Sequence, residues 1–285
     1  MKTVLRVALL ACACTLTLAG CDWFMSAEAR IARAEKSLAA GEDRAAAIDL
    51  QKVLESKPEN AKARLLLTRI SLRQGDVQGA EAELQRAIEG HAPAREVANL
   101  GAQIQLAKGD YAGLLAKLDG GSVDLDPVQV SIYRGNAQLG ARNIEQAVAA
   151  FNAALAAAPE SIDGRLGLAE AMAEGGDFDA ALAEIDKALT RSPGDARGWS
   201  LKGRILGRRG EFKGATAALD NARKNAPGQL TALEHNTLLS SLVEAFIAAG
   251  DLPAARKTLD ALSQRAPDSP LVHLLTARIA MVEQN

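Results

Sequence analysis

Apolar and polar residues alternate along this chain with the 3.6-residue period of a helix, not the two-residue period of a strand. Between 162 and 195, Leu166, Leu168, Ala169 and Met172 form one helical stripe, and Ala181, Ile185 and Ala188 form a second. Gly176-Asp177 breaks the pattern between them. That break recurs at a fixed step. Gly41, Gly75 and Gly109 stand 34 residues apart, and Gly176 and Gly210 repeat the interval. Each is followed by Asp or Glu, and Pro58, Pro193 and Pro227 come 17 residues after three of them. Glycine ends a helix where a left-handed residue is needed, the acid can cap the next helix, and proline stops it. The pattern predicts an all-α chain of helix-turn-helix units.

The units are expected near 27–60, 61–94, 95–127, 128–161, 162–195, 196–229 and 236–269, with a terminal helix over 270–284. Small residues recur at matching places. The eighth position holds Ala34, Gly135, Ala169 and Gly203, the twentieth Ala46, Ala80, Ala147, Ala181, Ala215 and Ala255, and the twenty-seventh Ala87, Ala154, Ala188 and Ala222. Small side chains there let paired helices approach closely. Two stretches interrupt the period. Asp119-Gly120-Gly121-Ser122 cuts the third unit short, and Pro227-Gly228 opens an insertion before the period resumes at Asn236. The array is expected to bend or loosen at Gly120–Asp126 and at Pro227–Thr231. In the fourth unit Arg142-Asn143 stands where Gly-Asp is expected. The last helix keeps Leu271, Leu274, Leu275 and Met281 without a second helix to cover them, as though something else caps it or the chain continues.

The N-terminus has a different composition. Lys2 and Arg6 precede an apolar run from Val7 to Leu18, too short for an ordinary membrane span, and Leu18-Ala19-Gly20-Cys21 follows. This resembles the signal peptide and lipobox of bacterial lipoproteins. The resemblance implies cleavage after residue 20, a diacylated Cys21, a short linker over 21–26, and repeats over 27–285. Of three cysteines, Cys12 and Cys14 would leave with the signal, so neither disulfide nor free thiol would remain. More than one acyl chain makes anchoring stable. The expected location is the bacterial cell envelope, lipid-anchored and facing the periplasm. Asp22 resembles the residue that retains enteric lipoproteins at the inner membrane, which favours that leaflet over the outer membrane.

Charge narrows the partners. Without Lys2 and Arg6, 31 basic residues face 35 acidic ones, a net −4. That is no nucleic-acid footprint. His91, His235 and His273 stand alone, no serine sits in a Gly-x-Ser-x-Gly context, and no phosphate loop is present. No enzymatic activity, metal, cofactor or small-molecule cofactor partner is expected.

The 34-residue period, its small positions and its glycines resemble tetratricopeptide repeats over nearly the whole mature length. The resemblance implies a right-handed superhelical solenoid of about seven repeats plus a C-terminal helix. It also implies a concave groove lined by positions 2, 5, 9, 12 and 13 of each first helix, where protein partners bind. The candidate groove residues are Arg69, Gln103, Asn136, Glu170, Arg197, Ser200, Arg204, Arg208 and Glu244. Arg204 and Arg208, supported by Arg197, are candidates to hold an acidic segment. The rival expectation is that they pair with Glu170 and Glu174 of the preceding repeat. The phrases Ala34-Glu35-Lys36-Ser37-Leu38-Ala39-Ala40-Gly41-Glu42, Asn60-Ala61-Lys62-Ala63-Arg64-Leu65 and Ala266-Pro267-Asp268-Ser269-Pro270-Leu271 are similar to tetratricopeptide lipoproteins of the exosortase (PEP-CTERM) system. This implies a scaffold for exopolysaccharide export or protein sorting. Alternatives are a pilotin-like factor for secretin and pilus assembly, an adaptor for cell-wall hydrolases or, more remotely, an enzyme on a repeat cradle.

Overall fold

The computed structural model describes residues 25–121 and 123–284, so Cys21, Asp22 and the signal segment lie outside the described residues. Within them every regular element is a helix, and the helices come in consecutive pairs. Repeat 1 is α1 (Ala27–Ala39) and α2 (Asp43–Ser56), and repeat 2 is α3 (Ala61–Gln74) and α4 (Val77–Glu89). Repeat 3 is α5 (Ala94–Lys108) and α6 (Tyr111–Asp119), and repeat 4 is α7 (Pro127–Gly140) and α8 (Ile144–Ala157). Repeat 5 is α9 (Ile162–Glu174) and α10 (Phe178–Arg191), and repeat 6 is α11 (Ala196–Arg208) and α12 (Phe212–Asn225). Repeat 7 is α13 (Ala232–Ala249) and α14 (Leu252–Arg265), and α15 (Pro270–Glu283) follows it.

The recurring turn residue is left-handed in every expected copy, with φ of 79° at Gly41, 78° at Gly75, 91° at Gly176 and 78° at Gly210. Arg142 takes the same conformation at φ 63°, so repeat 4 keeps its turn without the glycine. The acid after the turn caps only when it is aspartate. Asp76, Asp110 and Asp177 accept the backbone N–H three residues on, whereas Glu42 and Glu211 make no side-chain cap bond. The longer glutamate side chain is less suited to this cap.

The small positions are where the helices close on one another. Ala34, Ala46, Ala80, Ala147, Ala188 and Ala222 are fully buried. Phe151 is also fully buried and fills the space over Gly135, where an added Cβ would come within 2.6 Å of its ring. The core runs along the array as successive clusters, each shared between neighbouring helices.

The two interruptions have different structures. At the first, the nine-residue α6 ends at Asp119, and Gly121 turns at φ 66° with nothing within 4 Å of an added Cβ. Leu125 reaches the neighbouring core, and Asp126 caps α7 through the Gln129 N–H at 2.9 Å. At the second, α13 begins at Ala232, four residues before the expected Asn236. A capping box starts it: the Thr231 N–H donates to Glu234 Oε2 at 2.7 Å and the Glu234 N–H to Thr231 Oγ1 at 3.2 Å.

The expected loosening at Pro227–Thr231 is therefore corrected. Ala226 and Leu230 are buried, and the Gln229 carboxamide accepts from the Ala196 N–H and donates to the Gly194 carbonyl, both at 2.9 Å. The insertion also reaches repeats 1 and 2. Arg73 Nη1 donates to the Gly228 carbonyl at 3.0 Å and to the Leu38 carbonyl at 3.2 Å, while Nη2 lies 3.3 Å from Asp43. A Cβ on Gly41 would lie 2.6 Å from the Gly228 nitrogen, and one on Gly228 would collide with the Ala39 carbonyl oxygen. Because α13 also contacts α3, this seam closes the array on itself.

Candidate binding groove

The first helices of repeats 3 to 7 line a common, open-sided space. A cavity of about 700 Å³ lies among α5, α7, α9, α11, the insertion and the first turns of α13. Gln103, Asn136, Glu170, Arg197, Ser200 and Arg204 all line it. An adjoining cavity of about 480 Å³ is lined by Arg208 and Glu244 and shares Glu170 and Arg204 with the first. Arg69 stands apart, beside the seam with Arg73 and Gly228.

The charged candidates bond to one another across repeats. Arg204 donates to Glu170 at 2.8 Å, Arg208 to Glu174 at 2.9 Å and Arg278 to Glu244 at 2.8 Å, each pair spanning 34 residues. Arg197 lies 2.9 Å from Asp163 and 3.2 Å from Asp195. Burial works against the Arg197 charge, but the two aspartates outweigh it and hold the guanidinium protonated. Arg69 pairs with Glu96 at 2.9 Å. Arg208 also lies 4.9 Å from the Phe178 ring centre. Pairing with Glu170 and Glu174 is thus the arrangement the structure displays for Arg204 and Arg208. The Arg204 and Glu170 side chains are 38 % and 42 % exposed, so the pair is worth about 0.2–1 kcal/mol. An incoming carboxylate would compete with a resident one for the same guanidinium.

The uncharged residues form a second group. Tyr133 Oη donates to Asn99 Oδ1 at 2.7 Å, and Gln103 Nε2 donates to the same oxygen at 2.6 Å. Burial raises the Tyr133 hydroxyl pKa against the opposing bond from Gln103, so it stays protonated at neutral pH. Gln129 Oε1 is buried with no hydrogen-bond partner. Asn99 and Gln129 stand at the fifth and second positions of their units, so the positional rule reached them although neither was among the named candidates. Leu230, Leu233, Glu234 and Thr237 also line the cavity, brought there by the insertion and the early start of α13. The signal for them was the Thr231-x-x-Glu234 capping box.

Among the described residues, no three His, Cys, Asp or Glu side chains come together as a metal site. No described helix is long and apolar enough to cross a membrane.

The tetratricopeptide-repeat family profile matches residues 37–104, 138–205 and 208–279. A comparison with curated proteins finds no sequence match. The fold resembles that of a tetratricopeptide repeat protein from Parabacteroides merdae at 18 % identity and a TM-score of 0.55, covering 89 % of this chain and 98 % of that one. It also resembles yeast Tom70 at 19 % identity and a TM-score of 0.57, covering 92 % of this chain and 58 % of that one. YrrB, described as a tetratricopeptide repeat protein with an unusual peptide-binding site, aligns at 16 % identity and a TM-score of 0.44 over 80 % of this chain and 97 % of its own.

Proposed function

The chain belongs to the tetratricopeptide-repeat family, and from that premise we propose that it is a membrane-anchored scaffold of the bacterial envelope whose inner groove holds a segment of a partner protein. The observation that carries the binding role is the cavity of about 700 Å³, with polar groups from five successive repeats facing one space. Concave sites with a few convergent polar groups are the usual binding places of a fold. The anchor is Cys21, read from Leu18-Ala19-Gly20-Cys21 after the apolar run. Periplasmic exposure, with the inner membrane favoured by Asp22, follows from the same lipobox reading. Service to exopolysaccharide export or exosortase-type sorting follows from the phrases shared with those lipoproteins.

The test uses the full chain, cross-linked in solubilised envelope and recovered. Ser200→Trp fills the groove, and Glu55→Trp places the same bulk on an exposed position of α2. Partner recovery should be lost in the first and kept in the second. Equal recovery by both would sink the groove reading. Cys21→Ser should abolish acyl labelling and leave the precursor uncleaved, and normal palmitate incorporation would refute the anchor.

A further inference from the structure

The seam that joins repeats 1 and 2 to the insertion is built unlike the junctions between neighbouring repeats. Neighbours share apolar cores, as Leu166, Ile185, Leu201 and Ile205 do in repeats 5 and 6. Among the described residues no such cluster spans the seam. The cluster of repeats 1 and 2, from Ile31 to Ile70, has no residue in common with the one that holds Ala226 and Leu230. What crosses instead is backbone packing of Gly228 on Ala39 and Gly41, and a hydrogen bond from Arg73 Nη1 to the Gly228 carbonyl at 3.0 Å. Apolar burial is the main stabilising term of a packed interface, so a contact without it opens most readily. The closed state also carries a cost. Arg73 Nε and Asp43 Oδ1 are buried without a hydrogen bond, although Arg73 Nη2 lies 3.3 Å from that oxygen. Unpaired buried polar atoms cost free energy that water would relieve. The fit is nonetheless specific. Gly75, Gly109, Gly176, Gly210 and Gly250 make the same left-handed turn as Gly41 with nothing within 4 Å of an added Cβ, whereas one on Gly41 would lie 2.6 Å from the Gly228 nitrogen.

Two further features say which side moves. Gln229 ties the insertion to Ala196 and Gly194, and Leu230 is buried in the core of repeats 6 and 7, so the insertion stays with those repeats. Repeats 1 and 2 are the side free to leave. Between them and the insertion lies α6, with nine residues where every other described helix has 13 or more. A short second helix gives its neighbours less surface to hold, and Gly121 after it has nothing within 4 Å of an added Cβ. We propose that the seam is a releasable clasp, in which repeats 1 and 2 swing away from the insertion about repeat 3 and return. Hinges of this kind concentrate the change in a few residues between bodies that keep their own packing. Arg73 stands at the thirteenth position of its unit, a groove-lining position, so in the closed state the chain's own Gly228 carbonyl occupies that end of the inner face. The contact is autoinhibitory there. Opening uncovers Arg73 and the adjoining cavity of about 300 Å³ lined by Glu35, Leu66 and Arg69. The clasp needs no partner to operate, so its test is separate from that of the groove.

In the test, the full chain carries donor and acceptor dyes on azide-bearing residues in place of the exposed Glu42 and Lys224, and single-molecule energy transfer is read with increasing urea. A major high-transfer and a minor low-transfer population should interconvert. The minor one should grow at urea concentrations that leave the helical ellipticity unchanged. Dye pairs at Glu42 and Glu89, and at Glu145 and Lys224, lie within the two bodies and should each report one constant distance over the same range. Arg73→Met should raise the open population about tenfold, through loss of a hydrogen bond from a charged donor. Gly228→Ala should raise it by a steric route. Arg69→Met removes a neighbouring charge that pairs with Glu96 and should leave the populations unchanged. Phenylglyoxal should modify Arg73 faster in Gly228→Ala than in the native chain. A single high-transfer population that persists until the helices melt would make the seam a fixed brace and overturn the inference, as would a single low-transfer population in buffer. The inference also falls if neither Arg73→Met nor Gly228→Ala changes the populations, if Arg69→Met changes them as much, if either within-body pair moves, or if Arg73 is modified equally fast in both chains.

Discussion

The Gly120–Asp126 junction and the Pro227–Thr231 insertion carry the same signal, a broken 34-residue period with Gly and Pro nearby, and they do opposite things. The first is a connection whose described side chains stay within repeats 3 and 4, with Leu125 on the local core, Asp124 3.9 Å from Arg95 of α5 and Asp126 capping α7. The second joins sequence-distant parts, since Gly228 meets Ala39, Gly41 and Arg73. An irregular segment is weak when only its neighbours hold it, and it becomes a fastener when a distant surface closes on its backbone.

The sharpest test compares two glycines. Gly121 and Gly228 both have positive φ, 66° and 76°. Alanine at either pays the left-handed penalty of about 1 kcal/mol. At Gly121 nothing lies within 4 Å, so the loss should stop there, and the radius of gyration should not change. At Gly228 the new Cβ strikes the Ala39 carbonyl oxygen, so about 1–3 kcal/mol more should be lost and X-ray scattering should show an expanded particle. Equal losses with equal dimensions would break the comparison.

Proteolysis gives the next largest effect. Thermolysin should cut first near Val123 and Leu125 and leave Leu230 intact, because Leu230 is buried. Arg73→Met removes the bonds to the Gly228 and Leu38 carbonyls, so Leu230 should become a second early site. An unchanged digest of that variant would show that Arg73 does not hold the seam.

The smallest effect belongs to the Arg–Glu pairs between adjacent repeats, which join neighbours where the seam joins ends. Arg204→Glu should cost about 1 kcal/mol or less, and adding Glu170→Arg should recover most of it. A melt in which the double variant is no better than the single would remove the pair from the account of stability.

The repeat fold was legible because its signals are local. A left-handed turn at Gly176 and a crowded contact at Gly135 each require one residue type at one place, and the sequence repeats them. The candidate groove residues were legible for the same reason, and six of those nine line one cavity. The seam was not legible. It depends on small rotations accumulated over the intervening repeats, and no short window records their sum. Leu230 and Leu233 were missed with it, since the early start of α13 brings them inward. The state of Arg204 and Arg208 was undecided for another reason. Sequence shows opposite charges 34 residues apart, but only geometry shows that they touch.

The Gly41–Gly228 contact also bears on how such a chain can change over generations. An open array can gain or drop a unit by duplication or deletion, and its remaining interfaces are unaffected. Here a unit removed between Gly41 and Gly228 would carry the Ala39 carbonyl and the Gly228 backbone out of register and leave Arg73 without its distant acceptor. The number of units between those two glycines is therefore locked, while growth beyond α15 leaves the seam untouched.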